Sequence, residues 1–151
     1  MKKYSTILFD LDGTLTDSSQ GIINSIIYAL KKYDINDYDM TLLRKFLGPP
    51  LHESFEKFFG FDKEKSLQAV KYYREYFSTK GLLENEVYCG ITDLLQNLKE
   101  NGKTLIVATS KPQPFTDRIM VHFDLEKNFD FIAGSNMDTT RSKKAEVIEY
   151  A

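Results

Sequence analysis

An α/β architecture, with a doubly wound parallel sheet and an inserted α-helical cap, is predicted from three features of the amino-acid sequence. Short apolar runs at residues 5–9, 104–108 and 129–133 are typical of strands buried on both faces of a parallel sheet. Apolar residues at helical spacing separate the second run from the third, as in a strand–helix–strand unit with a right-handed crossover. The long stretch between the first two runs carries only helical patterns.

Residues 17–85 are expected to form the helical cap. An apolar stripe from Ile22 to Leu30 repeats at i, i+3 and i+4, with Ser18 or Ser19 as its N-cap. The later helical patterns end at three breaks: Gly48-Pro49-Pro50, Gly60 and Gly81. Because no strand pattern interrupts this region, we expect a discontinuous core made of residues 1–16 and 86–151.

Two helices are expected on either side of the second strand. The apolar stripe from Ile91 to Leu98 is followed by Gly102, a typical C-terminal cap, so this helix should end near Asn101. A second stripe follows the second strand; its members are Phe115, Ile119, Met120 and Phe123. These two helices and three strands supply the parts of an open α/β sheet.

Composition limits the classes of partner. A formal net charge of -2 over 151 residues gives no general attraction to nucleic acid or to an anionic membrane. The single cysteine, Cys89, has no partner for an internal disulfide, which suits a reducing cytoplasm. The sequence contains no run of about 18 apolar residues, so no membrane span is predicted. The sequence does not predict an oligomeric state.

The strongest chemical signal is the pair of acids Asp10 and Asp12, directly after the first strand. In an open parallel sheet, ligands bind at the carboxyl ends of the strands. Two carboxylates there can supply a nucleophile, a proton shuttle and oxygen ligands for Mg²⁺. The alternative is a solvated Asp-Gly turn.

Two further signals point to phosphate. Thr109 and Ser110 end the second strand, where a hydroxyl and exposed N–H groups can contact a phosphate, although such residues also end many strands as caps. Three cations, Arg141, Lys143 and Lys144, begin the last helix, where the helix dipole disfavours positive charge. A bound anion would remove that penalty; the alternative is a solvated basic stretch.

Residues 9–15 resemble the first motif of the haloacid dehalogenase superfamily of phosphatases. The resemblance implies that Asp10 attacks phosphorus, that Asp12 is general acid and base, and that both hold Mg²⁺. Thr109 resembles the second motif and Lys144 the lysine of the third, and both are expected to bind the transferred group. We also expect phosphate contacts from Gly13, Thr14 and Ser110. The Lys111-Pro112 continuation resembles phosphoglycolate phosphatases and nucleotidases.

The resemblance implies hydrolysis of a small phosphorylated metabolite through an aspartyl-phosphate. In related phosphatases the cap segment faces the site, so Arg44 and Gly48 are candidate substrate contacts. Two alternatives stay open: a sugar-phosphate mutase, and a non-catalytic remnant that binds phosphorylated ligands or a partner protein. The family's fourth motif, which completes the Mg²⁺ shell, has no counterpart up to Ala151. We therefore expect a longer natural protein, or another chain paired with an open edge of the first strand.

Overall fold

The computed structural model describes residues 4–138, 140–141 and 143–151, which form two compact units. One unit runs to Asp17 and resumes with Glu86–Ala151; the other is Ser18–Asn85. The strands are β1 (Thr6–Phe9), β2 (Thr16–Asp17), β3 (Glu86–Val87), β4 (Thr104–Pro112) and β5 (Phe131–Ser135). The α-helices are α1 (Ser19–Lys31), α2 (Met40–Arg44), α3 (Leu51–Phe59), α4 (Lys63–Tyr76), α5 (Ile91–Glu100), α6 (Gln113–His122) and α7 (Lys144–Tyr150).

The first unit is built on a parallel sheet of order β1-β4-β5. The β1–β4 register runs from Thr6 opposite Thr104 to Phe9 opposite Val107. Helices α5, α6 and α7 pack on this sheet. A parallel sheet carrying helices on its strands confirms the predicted α/β fold class.

The expectation that all three strands are buried on both faces is wrong for β1. Leu8 is 42% exposed and Thr6 is also exposed, whereas β4 buries Leu105 and Val107 completely. The reason is position. Strand β4 is central and receives the helices, while β1 lies at the edge of the sheet within the described residues.

The predicted end of α5 is confirmed. The helix stops at Glu100, and Gly102 adopts a positive φ of 67° while its N–H donates to the carbonyl of Lys99. Glycine takes this left-handed conformation without the steric cost of a Cβ. The chain therefore turns directly from α5 into β4.

The short pair β2 and β3 was not predicted. The two strands are antiparallel, with Thr16 opposite Val87 and Asp17 opposite Glu86. They lie where the chain leaves and re-enters the first unit. Two-residue strands carry too few side chains for a detectable period of two.

The second unit is helical, and it packs around an apolar stripe of α1 and a cluster of aromatic rings. The buried stripe is Ile23, Ile26, Ala29 and Leu30. The aromatic cluster is Phe46, Phe55, Phe58, Phe59, Phe61 and Tyr33. The role of this unit as a substrate-facing cap stays a prediction.

A close backbone approach holds the second unit together and explains one of its glycines. A Cβ on Gly21 would lie 1.9 Å from the carbonyl oxygen of Gly81, so any other residue would force the backbones apart. Gly81 ends a π-helical turn, Phe77–Gly81, that periodicity did not predict.

Among the residues described, no helix has the length and apolar character needed to cross a membrane.

Candidate active site

The first predicted acid, Asp10, begins a tight loop at the carboxyl end of β1. Its Oδ1 accepts the N–H of Leu11 at 2.8 Å. The Leu11 carbonyl accepts N–H groups from the next turn, and the Leu11 and Leu15 side chains are fully buried. Gly13 has a φ of 75°, which favours glycine at the reversal. The loop is thus anchored in the core, and it holds the Asp10 carboxylate at the sheet edge.

Lys144 meets Asp10 across this edge. Its Nζ lies 2.5 Å from Asp10 Oδ2, with both side chains 39% exposed. Val147, three residues later on the same face of α7, packs against Ala108 of β4 and Ala133 of β5. Packing of this apolar residue places the lysine. The Nζ atom is itself buried, so the ammonium group is held against the Asp10 carboxylate.

Asp12 forms a second ion pair, with Lys111, for which no role was predicted. Lys111 Nζ lies 3.0 Å from Asp12 Oδ2; the lysine side chain is 6% exposed and the aspartate side chain 33%. The other oxygen, Asp12 Oδ1, is buried and has no hydrogen-bond partner among the residues that the structure describes.

Lys111 and Thr109 lie on the same side of β4, in a segment where the register of the strand shifts. The β4–β5 register shifts between Ala108 and Pro112. Thr109 and Lys111 are buried while Ser110 between them is exposed, and the Lys111 N–H donates to Thr109 Oγ1 at 3.2 Å. The alternation of side chains along a strand could have identified Lys111, since it lies two residues after the predicted Thr109.

The structure does not bring the other predicted phosphate contacts into the ion pairs. Gly13 and Thr14 are exposed, and their N–H groups donate within the loop to Thr16 and Leu11 carbonyls. Ser110 points its backbone carbonyl at the Ser135 hydroxyl. Their phosphate-binding roles stay predictions. So do the substrate roles of Arg44, exposed at the end of α2, and Gly48, both in the helical unit.

The three predicted cations at the start of α7 have different positions. Arg141 donates to the carbonyl of Gly134 and to Asn136 Oδ1, and its guanidinium stacks 3.8 Å from the Tyr150 ring centroid. Lys143 is exposed, and its N–H is capped by the Glu146 carboxylate at 3.1 Å. Of these three side chains, Lys144 pairs with Asp10.

The donor set fits a hard divalent cation. No group of three or more His, Cys, Asp and Glu side chains that could hold a metal occurs among the residues described. Mg²⁺, however, is usually held by one or two carboxylates together with water and substrate phosphate. Two aspartates and two lysines have no net formal charge, so a phosphomonoester dianion calls for two more positive charges.

Comparison with known proteins identifies the family. The profile of the haloacid dehalogenase-like hydrolases matches residues 7–151. A 5'-nucleotidase of Pseudomonas aeruginosa is 46% identical over 148 residues, covering 98% of this chain and 67% of that protein. The tyrosine-protein kinase PtkA of Mycobacterium tuberculosis is 39% identical over 145 residues, covering 96% of this chain and 49% of that protein. The chain thus spans about two thirds and about half the length of these relatives.

Solved structures agree in fold and in sequence. A candidate phosphatase from Clostridium difficile superposes with a TM-score of 0.92 at 48% identity, covering 99% of this chain and 69% of that one. A haloacid dehalogenase-like family hydrolase from Streptococcus pneumoniae has a TM-score of 0.87 at 35% identity, covering 97% and 67%. The predicted resemblance is therefore confirmed: the chain belongs to the haloacid dehalogenase-like hydrolases, a family of enzymes.

Proposed function

We propose that the protein is a Mg²⁺-dependent phosphomonoester hydrolase that works through an aspartyl-phosphate on Asp10. One observation carries the proposal. Two Asp–Lys pairs, Asp10–Lys144 and Asp12–Lys111, meet where β1 and β4 end. Such an edge is where ligands bind in open α/β sheets.

Each residue has a part in a balanced reaction. An oxygen of Asp10 attacks phosphorus and the bond from phosphorus to the leaving oxygen breaks, while Asp12 gives that oxygen a proton. Water then attacks the phosphorus of the aspartyl-phosphate, Asp12 takes its proton, and the Asp10 carboxylate is released. Lys144 and Thr109 stabilise the charge on the transferred group.

Asp10 through its carboxylate and Asp12 through its backbone carbonyl would hold the metal. When bound, Mg²⁺ offsets the charge of the phosphoryl oxygens. This assignment leaves the Asp12 side chain free for proton transfer. Binding of phosphate also explains why a lysine stands at the start of α7, where the helix dipole alone disfavours it.

The substrate is a small phosphorylated metabolite, and a nucleoside monophosphate is the first to test because the Pseudomonas aeruginosa relative is named a 5'-nucleotidase. Phosphoglycolate is the second. We place the reaction in the cytoplasm, which suits the single cysteine. Neither nucleic acid nor a membrane surface is proposed as a partner, since the net charge of -2 does not attract either.

The test is phosphate release from a panel of nucleoside monophosphates, phosphoglycolate and p-nitrophenyl phosphate, with MgCl₂ or with EDTA. We expect Mg²⁺-dependent turnover of at least one substrate and a phosphoryl group on the peptide that contains Asp10. Turnover that persists in EDTA would contradict the metal requirement. A phosphoryl group found only on another residue would contradict the nucleophile.

A second candidate is transfer to an acceptor other than water, which the similarity to tyrosine-protein kinase PtkA favours. An aspartyl-phosphate can pass its phosphoryl group to any nucleophile placed in line. Radiolabelled ATP with a tyrosine peptide distinguishes the two. Label on the peptide supports transfer, and label released only as inorganic phosphate supports hydrolysis.

A further inference from the structure

Lys111 is a buried cation that the proposed reaction does not use. Its side chain is 6% exposed, and its Nζ lies 3.0 Å from Asp12 Oδ2. Removing an ammonium group from water is costly, and pairing with a carboxylate offsets part of that cost. At a buried position without a function, apolar side chains of similar volume in place of the ion pair often leave the folded protein as stable or make it more stable.

The two oxygens of Asp12 have different surroundings. Oδ2 faces Lys111, whereas Oδ1 is buried without a hydrogen-bond partner among the described residues. A buried carboxylate oxygen left without a donor is costly in a folded protein. The arrangement is explained if a ligand group completes it during the reaction.

We propose that Lys111 is a positioning residue: it holds Asp12 through Oδ2, so that Oδ1 is the oxygen that exchanges the proton with the leaving group and with water. This proposal rests on the proposed function. In the first step the proton on Oδ1 moves to the leaving oxygen as the bond between phosphorus and that oxygen breaks. In the second step Oδ1 takes a proton from the attacking water.

The backbone explains how Lys111 can act in this way. Thr109 and Lys111 are buried on one side of β4 while Ser110 between them is exposed, and the register of β4 against β5 shifts in this segment. The Lys111 N–H also donates to Thr109 Oγ1, so one short segment orients a predicted phosphate contact and the proton shuttle together.

The experiment compares two leaving groups. A nucleoside or alkyl phosphate needs a proton on its leaving oxygen, whereas p-nitrophenolate leaves without one. The parameter is kcat/KM, because it reports only the steps up to release of the leaving group. The variants are Lys111→Met, Asp12→Asn and their combination, with Lys99→Met as the matched control because it breaks a 2.8 Å Lys–Asp pair elsewhere on the same unit.

For Lys111→Met we expect kcat/KM to fall about 10- to 100-fold with the alkyl phosphate and less than about 3-fold with p-nitrophenyl phosphate. In the Asp12→Asn background, Lys111→Met should have no further effect, because it acts through Asp12. Lys99→Met should leave both substrates unchanged.

Equal losses with both substrates would overturn the proposal and make Lys111 a phosphate ligand. Additive losses in the double variant would overturn it as well. If Lys111→Met lowers the melting temperature strongly, Lys111→Arg is the second variant, because it keeps the charge. Lys111→Arg should keep the wild-type ratio of the two kcat/KM values, for the alkyl phosphate and for p-nitrophenyl phosphate.

A crystal structure of each variant tests the positioning role without any turnover. We expect the Asp12 carboxylate to rotate in Lys111→Met and to keep its orientation in Lys99→Met. An unrotated carboxylate in Lys111→Met would overturn the inference. A wild-type protein with no activity would reject the proposed function, and this structural result would still decide the role of Lys111.

Discussion

The two ends of β4 each carry a Lys–Asp pair, and the pairs differ in how completely the aspartate is bonded. At the amino end, Asp130 Oδ1 accepts from Lys99 Nζ at 2.8 Å and Oδ2 accepts the Leu105 N–H at 2.8 Å. At the carboxyl end, Asp12 Oδ2 meets Lys111 at 3.0 Å while the buried Oδ1 has no partner among the residues described. The first pair is satisfied, and the second is incomplete.

This difference separates a structural ion pair from a candidate functional one. The Lys99 and Asp130 side chains are 36% and 43% exposed, so water screens their attraction and the pair contributes little beyond fixing Leu105. Lys111 is nearly buried, so its pair carries a desolvation cost that packing does not explain. Incomplete buried polar groups cluster where function requires them.

The largest expected effect comes from the same substitution made beside each end of β4. Asp10→Asn removes the proposed nucleophile, so phosphatase kcat should fall at least about 10³-fold. Asp130→Asn should leave kcat unchanged, because Asp130 bonds Lys99 and the amino end of the strand. The measurement is steady-state turnover of the best substrate with Mg²⁺. Wild-type activity in Asp10→Asn would remove Asp10 from its role.

The adjacent lysines at the start of α7 give the next largest contrast. Lys144→Ala should lower kcat/KM about 10²- to 10³-fold, because its Nζ pairs with Asp10 and is proposed to bind the transferred group. Lys143→Ala should change it less than about 2-fold, since that side chain is exposed. Parallel kinetics of the two variants check this. Equal losses would mean that the third-motif register is wrong.

Thr109→Val gives a smaller effect at the carboxyl end of β4. The substitution keeps the shape of a residue that is 2% exposed but removes the hydroxyl expected to bind phosphate. A hydrogen bond to a charged group accounts for a loss of about 10-fold or more in kcat/KM. Thr104→Val, at the exposed amino end of the same strand, is the matched control and should leave kcat/KM unchanged. An unchanged kcat/KM in Thr109→Val would show that the Thr109 hydroxyl does not bind phosphate.

The fold was predictable because its signals are local. The apolar runs and stripes located β1, β4, α1, α5 and α6 to within a few residues, since each pattern repeats with the period of its element. β5 was expected over residues 129–133 but spans Phe131–Ser135. The shift has a side-chain cause: the Asp130 carboxylate bonds the Leu105 N–H, so residue 130 contacts β4 before the strand begins.

The candidate site was predictable only where motif and strand end coincide. Asp10, Asp12, Thr109 and Lys144 follow recognisable patterns, and the structure brings Lys144 to Asp10. Alternation along β4 puts Lys111 on the same side as Thr109, but its role was missed because its partner, Asp12, lies 99 positions earlier in the chain. A pair between residues so far apart leaves no periodic trace in the sequence. Burial and partner geometry are needed to distinguish such a lysine from a surface one.

The smallest expected effect is on stability at acid pH, and it reports on the Lys99–Asp130 pair. The hydrogen bond from Lys99, and next that from the Leu105 N–H, hold the pKa of Asp130 below its ordinary value of 3.8. A carboxyl whose pKa is lower in the folded state stabilises the fold above its unfolded pKa, and this contribution is lost as pH falls through the folded pKa. The difference in unfolding free energy between wild type and Asp130→Asn should therefore be constant from pH 7 to about pH 5 and shrink below about pH 4.

Urea unfolding across this pH series measures the difference in unfolding free energy. The contributions of the other acids cancel, because both proteins share them. Lys99→Met should move the loss to higher pH, since the pKa of Asp130 returns toward 3.8. A difference that stays constant down to pH 3, or grows there, would show that the Lys99–Asp130 pair does not stabilise the amino end of β4.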